Sequence, residues 1–196
     1  MRYPIEQKAA THQRIIDAAA RSFRDRGSEG QGIAGLMKDL GLTHGGFYRH
    51  FESKDDLYVA AVTKGLEESA ERMIAAAKSA PKGEELHAMI DRYLSAEHLN
   101  DAAGGCVVAT LAPEFRRQPA LVRARISSAM TAYMNRLLPY FPGDSVAKKR
   151  KQFIVLFPSM AGVLMTARAS SADIRGFILT EAKHFYKAAF GGRSNQ

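Results

Sequence analysis

The sequence has no long apolar run, and it has a single cysteine. No continuous apolar stretch approaches the roughly 18 to 20 residues that a membrane-spanning helix requires. The first residues, MRYPIEQKAATHQ, lack the apolar centre of a secretory signal. One cysteine cannot form a disulfide within the chain, and a free thiol is compatible with a reducing compartment. These absences predict a cytoplasmic protein with no membrane partner.

Strand patterns are also missing, because no segment keeps for long the period-two alternation that a half-buried strand shows. Apolar residues instead recur at helical spacing along the 196 residues, a length that permits one large or two modest domains. The sequence therefore predicts an all-α fold. The predicted helices cover residues 6–26, 33–40, 44–50, 54–79, 84–98, 104–112, 119–141, 146–169 and 173–190, and residues 191–196 are expected to be frayed.

The positive charge of the chain is not concentrated in its first part. The net charge is +8, but residues 1–58 contain nine Lys and Arg and eight Asp and Glu, so this part contributes only one net charge. The run KKRK at 148–151 is either a solvated helix face or a contact for an acidic partner. Net charge therefore does not identify a DNA-binding surface, and any such surface must be found from a motif.

The segment 33–51, IAGLMKDLGLTHGGFYRHF, predicts two short helices joined by a tight turn. The first helix has apolar residues at helical spacing and ends at Gly41, which permits a left-handed turn. Thr43 is placed to cap the second helix, in which Phe47 and Phe51 share one face. The residues directed away from that face are available to a partner: His44, Gly45, Tyr48 and Arg49. This is helix-turn-helix geometry with a buried side and an exposed side.

Three residues in this region oppose local helix preference. Gly45 and Gly46 lie inside a predicted helix, where each glycine costs roughly 1 kcal/mol relative to alanine. Either the bare backbone lets DNA approach closely, or the helix simply begins one residue later. Lys54 follows Ser53, a predicted N-cap with Asp56 at its third position, although a lysine in a first turn opposes the helix dipole. Lys54 is therefore either a phosphate contact or a solvated surface residue.

The segment 41–57, GLTHGGFYRHFESKDDL, resembles the helix-turn-helix of TetR-family transcriptional repressors. The family pattern is a glycine, a short turn, an aromatic-Tyr-x-His-Phe core and a Ser/Asn-Lys-x-x-Leu continuation. The resemblance implies a three-helix DNA-binding domain at 1–53 and an all-helical ligand-binding and dimerisation domain at 54–196, with 54–79 as the connecting helix. The residues predicted to contact DNA are Thr43, His44, Gly45, Gly46, Tyr48, Arg49, His50 and Lys54.

One position departs from the family pattern. Members of the family usually have Ser or Thr at the opening of the helix before the turn, where the hydroxyl contacts a phosphate. This chain has Gly32 at that position. The contact is therefore either lost or made by a backbone amide.

The second half of the chain is predicted to bind a ligand and a second copy of the chain. The resemblance implies a homodimer through about residues 146–190, which places two recognition helices about 34 Å apart on a palindromic operator. The helix at 146–169 is apolar on most sides, which predicts burial in the domain and against a further surface. Inward apolar residues either line a pocket for an unknown small-molecule effector or only pack the core. The candidate pocket residues are Met89, Tyr93, Cys106, Val107, Leu111, Tyr133, Met160 and Leu164.

Cys106 lies in the apolar segment GGCVVATLAPEF and has two interpretations. It is either an inert small hydrophobe or a thiol sensor for electrophiles or oxidants, since a helix N-terminus lowers a thiol pKa. Some relatives with a glycine-cysteine pair at this place resemble reactive-thiol sensors.

The six histidines are scattered, so no metal site and no cofactor are predicted, and no nucleophile motif indicates an enzyme. The sequence predicts a ligand-responsive repressor. The alternative is a helical small-molecule-binding or interaction protein without sequence-specific DNA binding.

Overall fold

The computed structural model describes residues 5–30 and 32–190, and within these ranges it is predominantly helical and contains no β-strand. The predicted all-α fold is confirmed, and the predicted fraying of residues 191–196 lies outside the described residues. The helices are α1 (Ile5–Gly30), α2 (Ile33–Asp39), a short 3₁₀ helix (His44–Arg49, the 44–49 helix), α3 (Lys54–Ser79), α4 (Glu85–Tyr93), α5 (Ala96–Asn100), α6 (Val107–Phe115), α7 (Ala120–Leu137), a 3₁₀ turn (Leu138–Tyr140), α8 (Val146–Ala169) and α9 (Ala172–Phe190).

The first three helices pack around a small apolar core. The side chains that fill it are Ile15, Phe23, Met37 and Phe47. Gly41 has a φ of +70°, which confirms the predicted left-handed turn between α2 and the 44–49 helix. The Thr43 hydroxyl accepts a hydrogen bond of 3.3 Å from the Gly46 amide and caps the 44–49 helix, as predicted. This cap and the buried Phe47 fix the orientation of the helix.

The long helix α3 connects these helices to the rest of the chain. Its predicted N-cap is confirmed, because the Ser53 hydroxyl accepts a hydrogen bond of 3.1 Å from the Asp56 amide. Near its start, the ring of Tyr58 lies 5.7 Å from that of Phe23 in α1. Further along, Ser69 lies 3.4 Å from the Tyr133 hydroxyl of α7. α3 therefore forms part of both the first core and the second.

The end of α1 differs from the prediction. Gly27 breaks the helix with a φ of +76°, but a further helical turn follows through Gly30. This turn is supported from outside, since the Ser28 amide donates a hydrogen bond of 3.1 Å to the carboxylate of Glu114 in α6. The sequence of residues 28–30 reads as a loop because its partner lies 86 residues further along the chain.

Three boundaries in the second half also differ from the predictions. The predicted helix 84–98 is two helices, because the chain breaks before Ser95, whose hydroxyl caps α5. The helix predicted at 104–112 begins at Val107 and continues through Pro113 to Phe115. The helix predicted at 119–141 is α-helical only as far as Leu137, and the next three residues form the 3₁₀ turn. The bounds of α8 and its Ser145 cap agree with the prediction.

α8 and α9 pack against each other and leave apolar side chains in solvent. Phe177 and Phe185 of α9 are 65% and 67% exposed. Ile154 and Val155 of α8 are also mostly exposed, whereas Leu156 on the same turn is completely buried. Large apolar residues on two neighbouring helices without cover are typical of an interaction surface.

α8 is long and apolar enough to cross a membrane by length and composition alone, with an 18-residue window of mean hydropathy 1.3. The expectation that no segment reaches this limit is wrong, because few charges interrupt the chain after Lys151. The core helix of a helical domain meets the same criterion, and 39% of this window is buried. α8 packs against α5, α6 and α9, which is the environment of a core helix.

Candidate nucleic-acid interface and the regulatory core

The 44–49 helix presents its polar side to solvent. Tyr48 is 62% exposed, whereas the neighbouring Phe47 is completely buried. The ring of Tyr48 makes edge contacts with the rings of Phe47 and His44, at centroid distances of 5.2 and 6.0 Å. His44, Gly45 and Arg49 are also exposed. The predicted separation of a buried side and an exposed side is therefore present in the structure.

The two glycines of this helix have different surroundings. A Cβ atom added to Gly46 would lie 3.3 Å from the Thr43 hydroxyl, so packing around the cap explains this glycine. A Cβ atom at Gly45 would meet no atom within 4 Å. Nothing in the described part of the chain requires a glycine at position 45.

A groove of about 490 Å³ lies between α1 and the 44–49 helix. Its lining includes Lys8, Arg49 and His50, and none of the lining residues that the structure describes has a carboxylate. Burial and then the nearby His12, Lys8 and Arg49 lower the pKa of His50 below its ordinary value. Its Nδ1 atom is buried without a hydrogen-bond partner in the described part of the chain. The groove therefore concentrates positive groups beside the exposed side of the helix.

Lys54 begins α3 immediately after the Ser53 cap and is half-buried. The Asp56 carboxylate accepts hydrogen bonds from the Ser53 hydroxyl at 2.8 Å and from Arg125 of α7 at 2.6 Å. The bonds from Arg125 and Ser53 hold the pKa of Asp56 below its ordinary value. Sequence reasoning found the cap but missed Arg125, which lies 69 residues away.

Gly32 precedes α2 and offers no side chain to cap it. Its carbonyl accepts a hydrogen bond of 3.0 Å from the Leu36 amide. A Cβ atom at Gly32 would meet nothing within 4 Å, so the fold would accept a serine or threonine there. The departure from the family pattern therefore has no structural cause within the described residues.

The eight residues predicted for a ligand pocket are all buried in the second half of the chain. Tyr93 and Tyr133 both contact the ring of Phe157 in α8, at centroid distances of 5.7 and 5.1 Å. Their hydroxyls lie near Cys106, and burial raises the pKa of both tyrosines. The structure thus brings Tyr93, Tyr133 and Cys106 together with Phe157 inside the helical core.

Cys106 is the N-cap of α6 and is completely buried. Its amide donates a hydrogen bond of 2.9 Å to Nε2 of His98, whose Nδ1 donates to the Tyr93 carbonyl at 2.6 Å. Since Nε2 accepts, the proton of His98 is on Nδ1 and the ring is neutral. Burial, the largest effect, lowers the pKa of His98 to about 4 and raises that of the Cys106 thiol. The lowering of the thiol pKa by the helix N-terminus is therefore smaller than its rise through burial.

Three arginines from different helices bind α5 and the loop that leads from it to Cys106. Arg72 of α3 donates to the Gly104 carbonyl at 2.7 Å, and Arg24 of α1 donates to the Gly105 carbonyl at 3.4 Å. Arg168 of α8 donates to the last carbonyls of α5. The Arg24 side chain is 1% exposed and forms an ion pair of 3.2 Å with Glu68. No sequence signal marks these residues, because their partners, which are backbone carbonyls and the Glu68 carboxylate, lie far along the chain.

Glu114 of α6 is a further contact between the two halves of the chain. Its carboxylate binds the Ser28 amide directly after the break in α1. A Cβ atom at Gly27 would lie 2.7 Å from Oε1 of Glu114, so only glycine fits here without movement. In the described ranges 5–30 and 32–190, no group of three or more His, Cys, Asp and Glu is arranged to hold a metal ion.

An all-helical chain that presents the second helix of a helix-turn-helix to solvent has the architecture of a DNA-binding regulator. Residues 15–61 match the model of bacterial regulatory proteins of the tetR family, and residues 83–139 match the tetracyclin repressor-like C-terminal domain. Together the two matches cover more than half of the chain. The protein belongs to the TetR family of transcriptional regulators, which are transcription factors and not enzymes.

Known relatives agree with this assignment. The fatty acid metabolism regulator protein of Bacillus subtilis is 24% identical over 132 residues, which span 67% of this chain and 66%, just under two thirds, of that protein. A TetR transcriptional regulator from Chloroflexus aurantiacus superposes with a TM-score of 0.73 at 22% identity, covering 92% of this chain and 96% of the other. FadR from Bacillus subtilis in complex with stearoyl-CoA superposes with a TM-score of 0.64 at 19% identity, covering 87% and 96%.

Proposed function

We propose that the protein is a homodimeric cytoplasmic repressor that binds a palindromic operator and releases it when a small molecule binds the second domain. The observation that carries the proposal is the exposed Tyr48 beside His44, on a helix whose opposite face is buried. Residues 1–53 form the DNA-binding domain and residues 54–196 the regulatory domain, with α3 as the connection.

The predicted DNA contacts divide into two kinds. His44, Gly45 and Tyr48 lie on the exposed side of the 44–49 helix and would meet base edges in the major groove. The residues that would bind or orient phosphates are Thr43, Gly46, Arg49, His50 and Lys54. The N-terminus of α3 and the charge of Lys54 favour an anion at the same place.

The exposed apolar residues of α8 and α9 support the homodimer. Two copies joined through about residues 146–190 would cover Phe177 and Phe185 and present two recognition helices about 34 Å apart. The same contact would cover exposed apolar residues of α8 such as Val155 and Met165.

The effector class that the relatives favour is a long-chain acyl-CoA. The Bacillus subtilis relative is a fatty acid metabolism regulator, and the structure of Bacillus subtilis FadR contains stearoyl-CoA. Binding would shift the dimer between two states in which α3 has different tilts and the recognition helices have different separations. The buried cluster around Tyr93 and Tyr133 would repack in this shift.

Chemical modification of Cys106 is the second trigger that the sequence leaves open. The position of the thiol at the start of α6 favours reactivity, whereas complete burial and the resulting rise in its pKa oppose it. A Cys106→Ser protein that still releases its operator on exposure to every electrophile tested would end this alternative.

A gel-shift assay with operators selected from random duplexes tests the proposed function. Wild-type protein should prefer palindromic sites and lose affinity steeply with salt. Tyr48→Ala should abolish specific binding without changing the melting temperature, and Tyr140→Ala, distant in sequence from the helix-turn-helix, is the control. Equal binding of wild type to palindromic and random duplexes would instead support a helical ligand-binding protein.

A further inference from the structure

An open groove of about 460 Å³ lies between α7 and α8. α7 packs mainly against α3, and α8 packs mainly against α5, α6 and α9. The two helices meet where the ring of Tyr133 contacts Phe153 and Phe157, and the groove lies beside this contact. The volume is within the range of roughly 300 to 1,000 Å³ that is typical of small-molecule sites. The groove follows α7 from Arg123 to Met134, which is about 16 Å along the helix axis. Its shape therefore suits an extended chain.

The walls of the groove are apolar and adaptable. Ile126, Met130 and Met134 contribute from α7, and Phe153 and Phe157 contribute from α8. Methionine side chains are flexible and polarisable, so they fit apolar chains of different lengths. The rings of Phe153 and Phe157 stack on each other with their centroids 5.1 Å apart.

One end of the groove is positively charged. Arg116 and Arg123 are part of its lining, and no described residue of the lining has a carboxylate. Arg123 donates one hydrogen bond of 2.9 Å to the Gln118 carbonyl and keeps its other donors. In the described part of the chain, Arg116 forms no ion pair or side-chain hydrogen bond. Two guanidinium groups without acidic partners favour phosphate as the polar end of an occupant.

Phe157 connects the groove to the buried cluster. Phe157 is one of the lining residues of the groove, and its ring also contacts Tyr93 and Tyr133. The Tyr93 hydroxyl faces the Cys106 thiol, a weak partner, and has no oxygen or nitrogen partner among the described residues. An occupant that moves Phe157 would therefore change the packing at the start of α6.

We propose that the α7–α8 groove is the effector site and that it binds an apolar chain with phosphate groups at one end. The chain lies on Ile126, Met130, Met134 and the two phenylalanines, and the phosphates lie on Arg116 and Arg123. The acyl-CoA class has this chemistry, and this assignment rests on the proposed function.

Isothermal titration of the full-length protein with stearoyl-CoA, below its micelle concentration, tests the site. Arg116→Gln combined with Arg123→Gln should raise the Kd at least about tenfold, since two charge-assisted contacts are lost. Met130→Trp should raise it similarly by filling the groove. Arg136→Gln changes an exposed arginine of α7 outside the groove and should leave the Kd unchanged. Light scattering should give the same oligomeric state for all variants.

The outcomes separate the site from the effector class. If wild type binds no stearoyl-CoA, the effector class of the proposed function fails, and the groove assignment fails with it. If wild type binds but the groove variants have an unchanged Kd, the effector site lies elsewhere and only the groove assignment is wrong. A change of oligomeric state in the groove variants would show that the groove is covered by a second copy of the chain, which also overturns the assignment.

Discussion

Arg125 in α7 donates a hydrogen bond of 2.6 Å to the Asp56 carboxylate in the first turn of α3. The other oxygen of the same carboxylate accepts the Ser53 hydroxyl at 2.8 Å. One side chain therefore joins a helix of the regulatory domain to the cap that positions Lys54. α7 also lines the groove that we assign to the effector. A displacement of α7 would therefore be transmitted to the DNA-binding surface through the contact between Arg125 and Asp56.

A double-mutant cycle with Arg125→Gln and Asp56→Asn measures this contact. Because both side chains are partly exposed, the coupling free energy at pH 7 should be at most about 1 kcal/mol. The folded-state pKa of Asp56 is lowered, so the pair stabilises the fold above the unfolded pKa of about 3.9 and loses this effect as pH falls through the folded pKa. Urea unfolding at several pH values should show this loss. If the coupling free energy stays unchanged at a pH where Asp56 is protonated, the ion pair between Arg125 and Asp56 is not its source.

Lys54→Gln should change DNA binding and stability in opposite directions. Removing a positive charge from the first turn of α3 should stabilise the fold by about 0.3 to 1 kcal/mol. Loss of one phosphate contact per protomer should reduce the slope of log K against log salt by about 1.8 for the dimer. Lys78→Gln, in the last turn of the same helix, should leave the slope unchanged and lower stability slightly. An unchanged slope for Lys54→Gln would make Lys54 a solvated surface residue.

The two glycines of the 44–49 helix should respond differently to alanine. Gly45→Ala meets no protein atom and should raise stability by about 0.4 to 1 kcal/mol through the unfolded state, while weakening operator binding. Gly46→Ala crowds the Thr43 hydroxyl and should lower stability, because the helix cap is disturbed. Thermal melts and operator titrations measure both effects. Full operator affinity in Gly45→Ala would show that DNA does not approach the backbone there.

Native Cys106 should react slowly with a thiol reagent such as DTNB at pH 7. Burial excludes the reagent and raises the thiol pKa, so little thiolate is present. Labelling should become fast only in denaturant, and free cysteine in the same buffer gives the reference rate. Labelling of native protein at that reference rate would support the sensor interpretation instead.

Local chemistry made much of the fold predictable. The caps at Thr43, Ser53 and Ser145 and the left-handed Gly41 follow from residue type and spacing, and the structure contains all four. The turn after Gly27 did not follow, because its support is the carboxylate of Glu114. Local sequence patterns do not reveal contacts between side chains and distant backbone groups.

The candidate site was also predictable only in part. The exposed side of the 44–49 helix was predictable from the four-residue spacing of Phe47 and Phe51. The groove between α7 and α8 was not, because it arises from how two helices separately pack against other partners. Residues such as Ile126 and Met130 belong to a helical stripe that has the same pattern whether it faces a core or a groove.

Because of Arg24, the helix-turn-helix cannot be separated from the rest of the chain as an independent unit. Its buried guanidinium depends on Glu68 in α3 and on the Gly105 carbonyl, and both lie beyond residue 53. A fragment that ends at residue 53 would keep this charge without its partners and would also lose Tyr58 from its core. Chimaeras that exchange operator specificity between relatives should therefore transfer α3 through Glu68 and retain a compatible loop before Cys106.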